Sequence, residues 1–155
     1  MKRRTYFYGG IIVYTLFTFI PTNCQVITAQ ISCGELIDKI TILKIKAERI
    51  TDPEKLKNVR TELEILQKTC EQYIADYQSI AALEKTLQQI NQDLWDIEDA
   101  IRVKERNKEF DDEFIQIARS VYTTNDKRCV IKKEIDRVLG SRITEEKSYE
   151  EFAIK

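Results

Sequence analysis

From Ser32 onward the apolar residues recur at helical spacing with few pauses. Leu36, Ile40, Leu43, Ala47 and Ile50 fall four, three, four and three apart, which places them on one face of a helix. Ile37, Ile42 and Ile45 widen that face, so this first helix is expected to be covered on more than one side. Ser32 and Glu35 fit a capping box at its start. Thr51-Asp52-Pro53 ends it, and Pro53 suits the first turn of the next helix. The second stripe is Leu56, Val59, Leu63, Leu66, Cys70, Tyr73, Tyr77 and Ile80; the third is Leu83, Leu87, Ile90, Leu94, Ile97 and Ile101. Both alternate threes and fours, as a heptad seam does. The rhythm skips between Ile80 and Leu83, which marks either a stammer in one long helix or a turn between two. Compactness favours a break near Asp76–Ser79, with Ser79 placed to cap. Asn107-Lys108 closes this run, and Asp111-Asp112-Glu113 puts three acids at the positive end of the next helix. That helix carries Phe110, Phe114, Ile117 and Val121. Thr123-Thr124-Asn125-Asp126 is expected to interrupt it, with Thr124 or Asn125 capping a last helix lined by Ile131, Ile135 and Val138. Gly140 stands where a helix-ending glycine belongs. No strand pattern occurs. The expected fold is all-α, an antiparallel helical bundle with long coiled-coil-like helices.

The start of the chain has another character. Lys2-Arg3-Arg4 precedes a 15-residue uncharged run, Tyr6 to Ile20, then Pro21 and small polar residues. A basic segment, a short apolar core and small residues beyond it describe a secretory leader. The run is short for a membrane span, which needs about 20 residues. Residues 1–24 are therefore expected to be a signal peptide or an N-terminal anchor, 31–140 the helical bundle domain, and 141–155 a polar C-terminal tail. A genuine leader implies a periplasmic or secreted protein; otherwise the chain is cytoplasmic or held by its N-terminus, and 1–24 is its only membrane contact.

Composition removes whole classes of chemistry. The 155 residues include no His, which excludes Ser-His-Asp and Cys-His catalysis and His-ligated zinc. Four glycines leave no Gly-rich phosphate loop. Of 25 basic residues three lie in 1–24, leaving 22 against 26 acids, so nucleic acid is not an expected partner. Cys24, Cys33, Cys70 and Cys129 are widely spaced and form no metal-binding or redox pair; Cys70 and Cys129 read as small buried hydrophobes. No cofactor, metal or catalytic residue is assigned.

Three constellations remain. Trp95, Glu98, Asp99 and Arg102 lie on a face beside the Leu94–Ile97–Ile101 seam; they suit either a ligand platform or a Glu98–Arg102 pair with Trp95 packed under a neighbour. Under the second reading, truncating Trp95 or Arg102 lowers stability. Asp93, Asp96 and Asp99, with Glu35 and Asp38, have spacing that suits Mg²⁺ between facing helices, loosely similar to nucleotide pyrophosphohydrolases of the MazG type. Arg119, Tyr122, Asn125, Asp126, Arg128 and Lys132 gather cations that could receive a carboxylate or phosphate. Glu35 to Arg49 also resembles the first helix of all-α chorismate mutases, over that helix alone.

A closer likeness runs through four blocks in order. They are I-S-C-G-E-L-I-D-K-I-T-I-L-K-I-K (31–46), N-Q-D-L-W-D-I-E-D-A-I-R (91–102), I-A-R-S-V-Y-T-T-N-D-K-R (117–128) and G-S-R-I-T-E-E-K-S-Y (140–149). Together they resemble a bacterial family of unknown function. The resemblance implies a small helical domain and no particular activity. Its motif positions draw attention to Glu35, Asp38, Lys39, Trp95, Glu98, Asp99, Arg102, Arg119, Tyr122, Asn125, Asp126 and Arg128, as a polar site or an ion-pair network. The expected function is a non-enzymatic interaction or structural module that meets an unknown protein or a second copy of itself. The alternative is a small all-α enzyme or ligand-binding protein with an Arg/Glu/Asp/Trp pocket, like a Mg²⁺-dependent nucleotide hydrolase or a chorismate mutase.

Overall fold

A computed structural model describes residues 27–148. The leader expected over 1–24 and the tail from 149 onward lie outside the described residues. Four helices follow one another: α1 (Cys33–Arg49), α2 (Pro53–Tyr73), α3 (Ala81–Asn107) and α4 (Asp112–Leu139), with a 3₁₀ turn at Tyr77–Ile80 between α2 and α3. Among the described residues there is no strand, and no helix is long and apolar enough to cross a membrane.

The caps explain the boundaries. Ser32 accepts from the backbone N–H of Glu35 at 3.1 Å and starts α1. Asp52 accepts from Glu54 and Lys55, and Pro53 opens α2. Lys108 ends α3 in the left-handed region, at φ 59°, and Asp111 then caps α4 through the N–H of Phe114. Gly140, at φ 62°, ends α4.

Helix α1 is the centre of the fold. It packs against α2, α3 and α4, while α3 and α4 pair with each other along their length. That is why its apolar face is wide: Leu36, Ile37, Ile40, Leu43 and Ile45 are all buried. Leu36, Ile37 and Ile40 meet Cys70 and Ile74 at the end of α2, Ile80 of the 3₁₀ turn, Leu87 of α3 and Ile135 of α4. Truncating any of the fully buried Ile or Leu side chains costs about 2–5 kcal/mol.

Three local expectations change. The chain does break near Asp76–Ser79, since α2 ends at Tyr73 and α3 starts at Ala81, but Asp76 is the cap, accepting from the N–H of Ser79, whose hydroxyl donates back to the Asp76 carbonyl. Tyr73 leaves the seam and is 74% exposed, because α2 stops there and the buried Ile74 turns inward instead. The 123–126 segment does not interrupt α4. Its polar side chains bond within the helix: Thr123 donates to the carbonyls of Arg119 and Ser120, and Asn125 to that of Val121. Each thus relieves its polarity without unwinding the turn.

Candidate functional site

Polar residues sit inside the apolar faces of α1 and α3. Asp38 and Thr41 lie between buried isoleucines and leucines of α1, and Asn91 lies between Leu87 and Leu94 of α3. A buried carboxylate needs an opposite charge and full hydrogen bonding. Helix α4 supplies both through Arg128. Its Nε donates to Asp38 Oδ1 at 2.9 Å and its Nη2 to Oδ2 at 2.7 Å, a two-pronged pair. Asn91 Nδ2 donates to Asp38 Oδ1 at 2.9 Å and to Thr41 Oγ1 at 3.0 Å, and Thr41 donates to the Asp38 carbonyl. Arg128 Nη1 reaches Asn125 Oδ1 at 3.2 Å. Burial works to lower the Arg128 pKa, but the Asp38 carboxylate outweighs it and holds the guanidinium above its ordinary value. Three helices are thereby pinned at one carboxylate.

A groove of about 460 Å³ opens over this floor. Ile42 comes from α1, Asn125 and Arg128 from α4, and the rest from α3: Asn91 and Leu94 low on the wall, Trp95, Glu98, Asp99 and Arg102 higher. Arg102 Nη2 donates to Glu98 Oε2 at 2.9 Å. The guanidinium of Arg49 lies over the Trp95 ring, 5.7 Å from its centroid, and bonds to Asp96, which raises the Arg49 pKa and lowers that of Asp96. Asp99 makes no ion pair among the described residues.

A second polar cluster ties the start of α1 to α4. The backbone N–H of Gly34 donates to Asp136 Oδ1 at 2.6 Å, so a buried acid of α4 sits on the positive end of α1. Lys132, only 7% exposed, donates to Glu35 at 2.7 Å and to Glu145 of the tail at 2.5 Å. Lys133 holds Glu146 at 2.6 Å. Burial works to lower the Lys132 pKa, and Glu145 and Glu35 more than reverse it. Gly34 has no alternative here: a Cβ would lie 2.4 Å from the Lys132 carbonyl oxygen.

A further cavity, about 480 Å³, lies between α1 and α2 and includes Ile40, Cys70, Ile74 and Tyr77. Burial, and then a hydrogen bond to Glu84, push the Tyr77 phenol far above its ordinary pKa; burial raises the Cys70 thiol.

The family model described as "Family of unknown function (DUF6165)" matches residues 27–154. The chain belongs to this family. No curated protein and no solved structure matches it. In this DUF6165 chain the sequence-selected residues divide into three groups. Trp95, Glu98, Asp99, Arg102, Asn125 and Arg128 line the groove, and Asp38 lies beneath it. Glu35 and Lys39 belong to the N-terminal cluster of α1, joined to each other only at 3.9 Å. Arg119, Tyr122 and Asp126 are exposed on α4 and line neither cavity. The carboxylates do not assemble as a Mg²⁺ site would require: Asp96 is bonded to Arg49, Asp93 accepts from Gln89, Asp38 is held by Arg128, and no metal-ligand cluster occurs among the described residues.

Sequence reasoning did not single out Thr41, Asn91 or Asp136. Each carried a signal, since a polar residue inside a buried helical stripe has to be met by another element. Ile42 carried none, being one more isoleucine in a wide apolar face.

Proposed function

We propose that this chain is a non-enzymatic interaction module that captures a ligand or a partner's side chain in the groove between α1, α3 and α4. The observation that supports this reading is the state of the groove floor. Both oxygens of Asp38 are taken by Arg128, and Asn91 takes a further bond, so the buried carboxylate spends its bonding capacity on holding helices together. A general base needs an oxygen within reach of a substrate proton. What faces the opening is an aromatic ring, aliphatic wall and charged rim, the composition of a binding site.

The test is a thermal melt of the full chain against amines, carboxylates, phosphates, sugars and nucleotides, each with and without Mg²⁺, followed by chromatography of the recovered ligand. A saturable rise in Tm with the ligand returned unchanged is expected. Turnover of any ligand that is abolished by Asp99→Asn or Glu98→Gln overturns the reading and restores the small-enzyme alternative.

Export belongs to the same proposal, on the strength of the basic and apolar pattern of residues 2–20. The intact mass of the protein from its native host checks it. Loss of about 24–29 residues is expected; a full-length mass overturns it.

A further inference from the structure

The charges around the groove cancel in pairs, and one is left over. Arg128 is neutralised by Asp38 and Arg49 by Asp96, while Arg102 meets Glu98 at the rim. Asp99 is the remaining wall charge, exposed and without an ion pair among the described residues. It stands one helical turn beyond Trp95, so carboxylate and ring lie on the same side of α3. Ile42 and Leu94 give the wall between them an aliphatic surface. Asp99 acts on Arg49 through space but is in direct contact with no cation among the described residues, so aromatic face, carboxylate and aliphatic wall together suit one chemistry. A cation on an apolar stem is attracted by the ring quadrupole, paired by the carboxylate and packed along the stem. The fold already uses Trp95 this way, since the Arg49 guanidinium lies over its ring.

We propose that the groove is a receptor for an organic cation, an ammonium or guanidinium on an aliphatic stem, with its charge between Trp95 and Asp99 and its stem against Ile42 and Leu94. The proposal rests on the binding-module reading and adds the class of ligand. A groove of about 460 Å³ is far larger than a bare ammonium and takes the whole stem. The cation has two possible sources, a free polyamine or a Lys or Arg side chain of a protein partner.

Trp95 is the only tryptophan in the chain, so tryptophan emission, excited selectively over the seven tyrosines, reports on this groove alone. The experiment titrates the full chain with cadaverine and with a blocked Gly-Lys-Gly peptide. Inorganic phosphate and succinate serve as anionic counterparts at matched ionic strength. Saturable change in Trp95 emission with the amines is expected, weakening with added salt. Asp99→Asn and Asp99→Lys alter an exposed side chain, and their unchanged melting curves verify folding. Asp99→Asn should weaken amine binding about three- to tenfold, and Asp99→Lys should abolish it. Tighter binding of cadaverine identifies a polyamine as the source; tighter binding of the peptide identifies a protein side chain. Equal amine affinity in Asp99→Asn overturns the inference. Binding of phosphate or succinate in place of the amines overturns it too, but leaves the binding-module reading standing. Silence of Trp95 towards all four probes overturns both.

Discussion

Arg128 and Arg102 are two arginines of one groove with opposite expected consequences. Arg128 is mostly buried and holds a buried carboxylate, so Arg128→Ala leaves Asp38 charged and uncompensated among isoleucines. That should cost about 3 kcal/mol or more. A double change, Asp38→Leu with Arg128→Met, should recover most of the loss, because it removes both charges at similar volume. Denaturant midpoints measure both; a double variant as unstable as Arg128→Ala would show that the pair contributes more than cancelled charge. Arg102 has a side chain 73% exposed and meets Glu98 one turn away on its own helix. Arg102→Ala should therefore shift stability by less than about 0.5 kcal/mol, which revises the sequence-based expectation that its truncation is destabilising. Gly34→Ala is different again: the new methyl meets backbone, not a side chain that can swing away. Its cost should be about 1–3 kcal/mol, read from the same denaturant curves. Chemistry at this scale was half legible. A charged motif announces that its residues matter, but Asp38 and Arg102 look alike in sequence. Only the packing of α1 against α4 makes one of them structural.

The helical stretches were legible, because each has a long apolar stripe and Ser32, Asp52 and Asp111 cap the starts of α1, α2 and α4, whereas α3 starts after Ile80 with no side-chain cap. What misled was local polarity. Thr123-Thr124-Asn125-Asp126 has turn composition, yet the helix runs through it, since Thr124 is buried and its neighbours bond to carbonyls of the preceding turn. The seam through Tyr73 failed for the opposite reason, as periodicity alone does not report that a helix has stopped. The helix ends offer a matched pair of tests. Lys108 and Gly140 both occupy the left-handed region. Lys108→Gly removes a strained Cβ and should be neutral or stabilising by a few tenths of a kcal/mol. Gly140→Ala has open space around the new methyl but adds the strain itself, and should cost about 1 kcal/mol. Thermal melts should show Gly140→Ala lowered and Lys108→Gly unchanged or raised, and a loss of stability in Lys108→Gly would show that its side chain contributes more than its backbone costs.

Across the whole molecule, ion pairs tie the helices and the tail to one another, and this sets how stability follows pH. Bonding to Lys132 holds the Glu145 carboxyl below its ordinary value of 4.5. The N–H of Phe114, and then Lys104, hold Asp111 below 3.8; Arg49 does the same for Asp96. A carboxyl whose pKa is depressed by folding stabilises the fold fully above its unfolded pKa and loses that contribution as pH falls through the folded value. The acid limb of the stability curve should thus begin below about pH 4.5. At the other end, burial raises Cys70 above 9.0 and Tyr77 above 10.0, so both stay neutral in the fold. Groups with raised pKa contribute fully below the unfolded value, and the loss begins as pH climbs past it, here from about pH 9. The raised pKa of Lys132 and of Lys104 extends the same loss beyond 10.5. With no histidine in the chain, no side chain with an ordinary pKa near neutrality titrates between these limbs. Tm should be flat from about pH 5 to 9 and fall on either side. Glu145→Gln isolates one contributor, because it removes one of the two charges facing Lys132, leaves Glu35 in place and keeps the shape. It should lower Tm at pH 7, and the gap to the unaltered protein should close as pH falls and the Glu145 carboxyl takes up its proton. A Tm that instead falls between pH 6 and 8 would point to a carboxylate raised, or an amine lowered, towards neutrality. That result would contradict the pairing that keeps the buried Lys132 and Arg128 charged against their carboxylates.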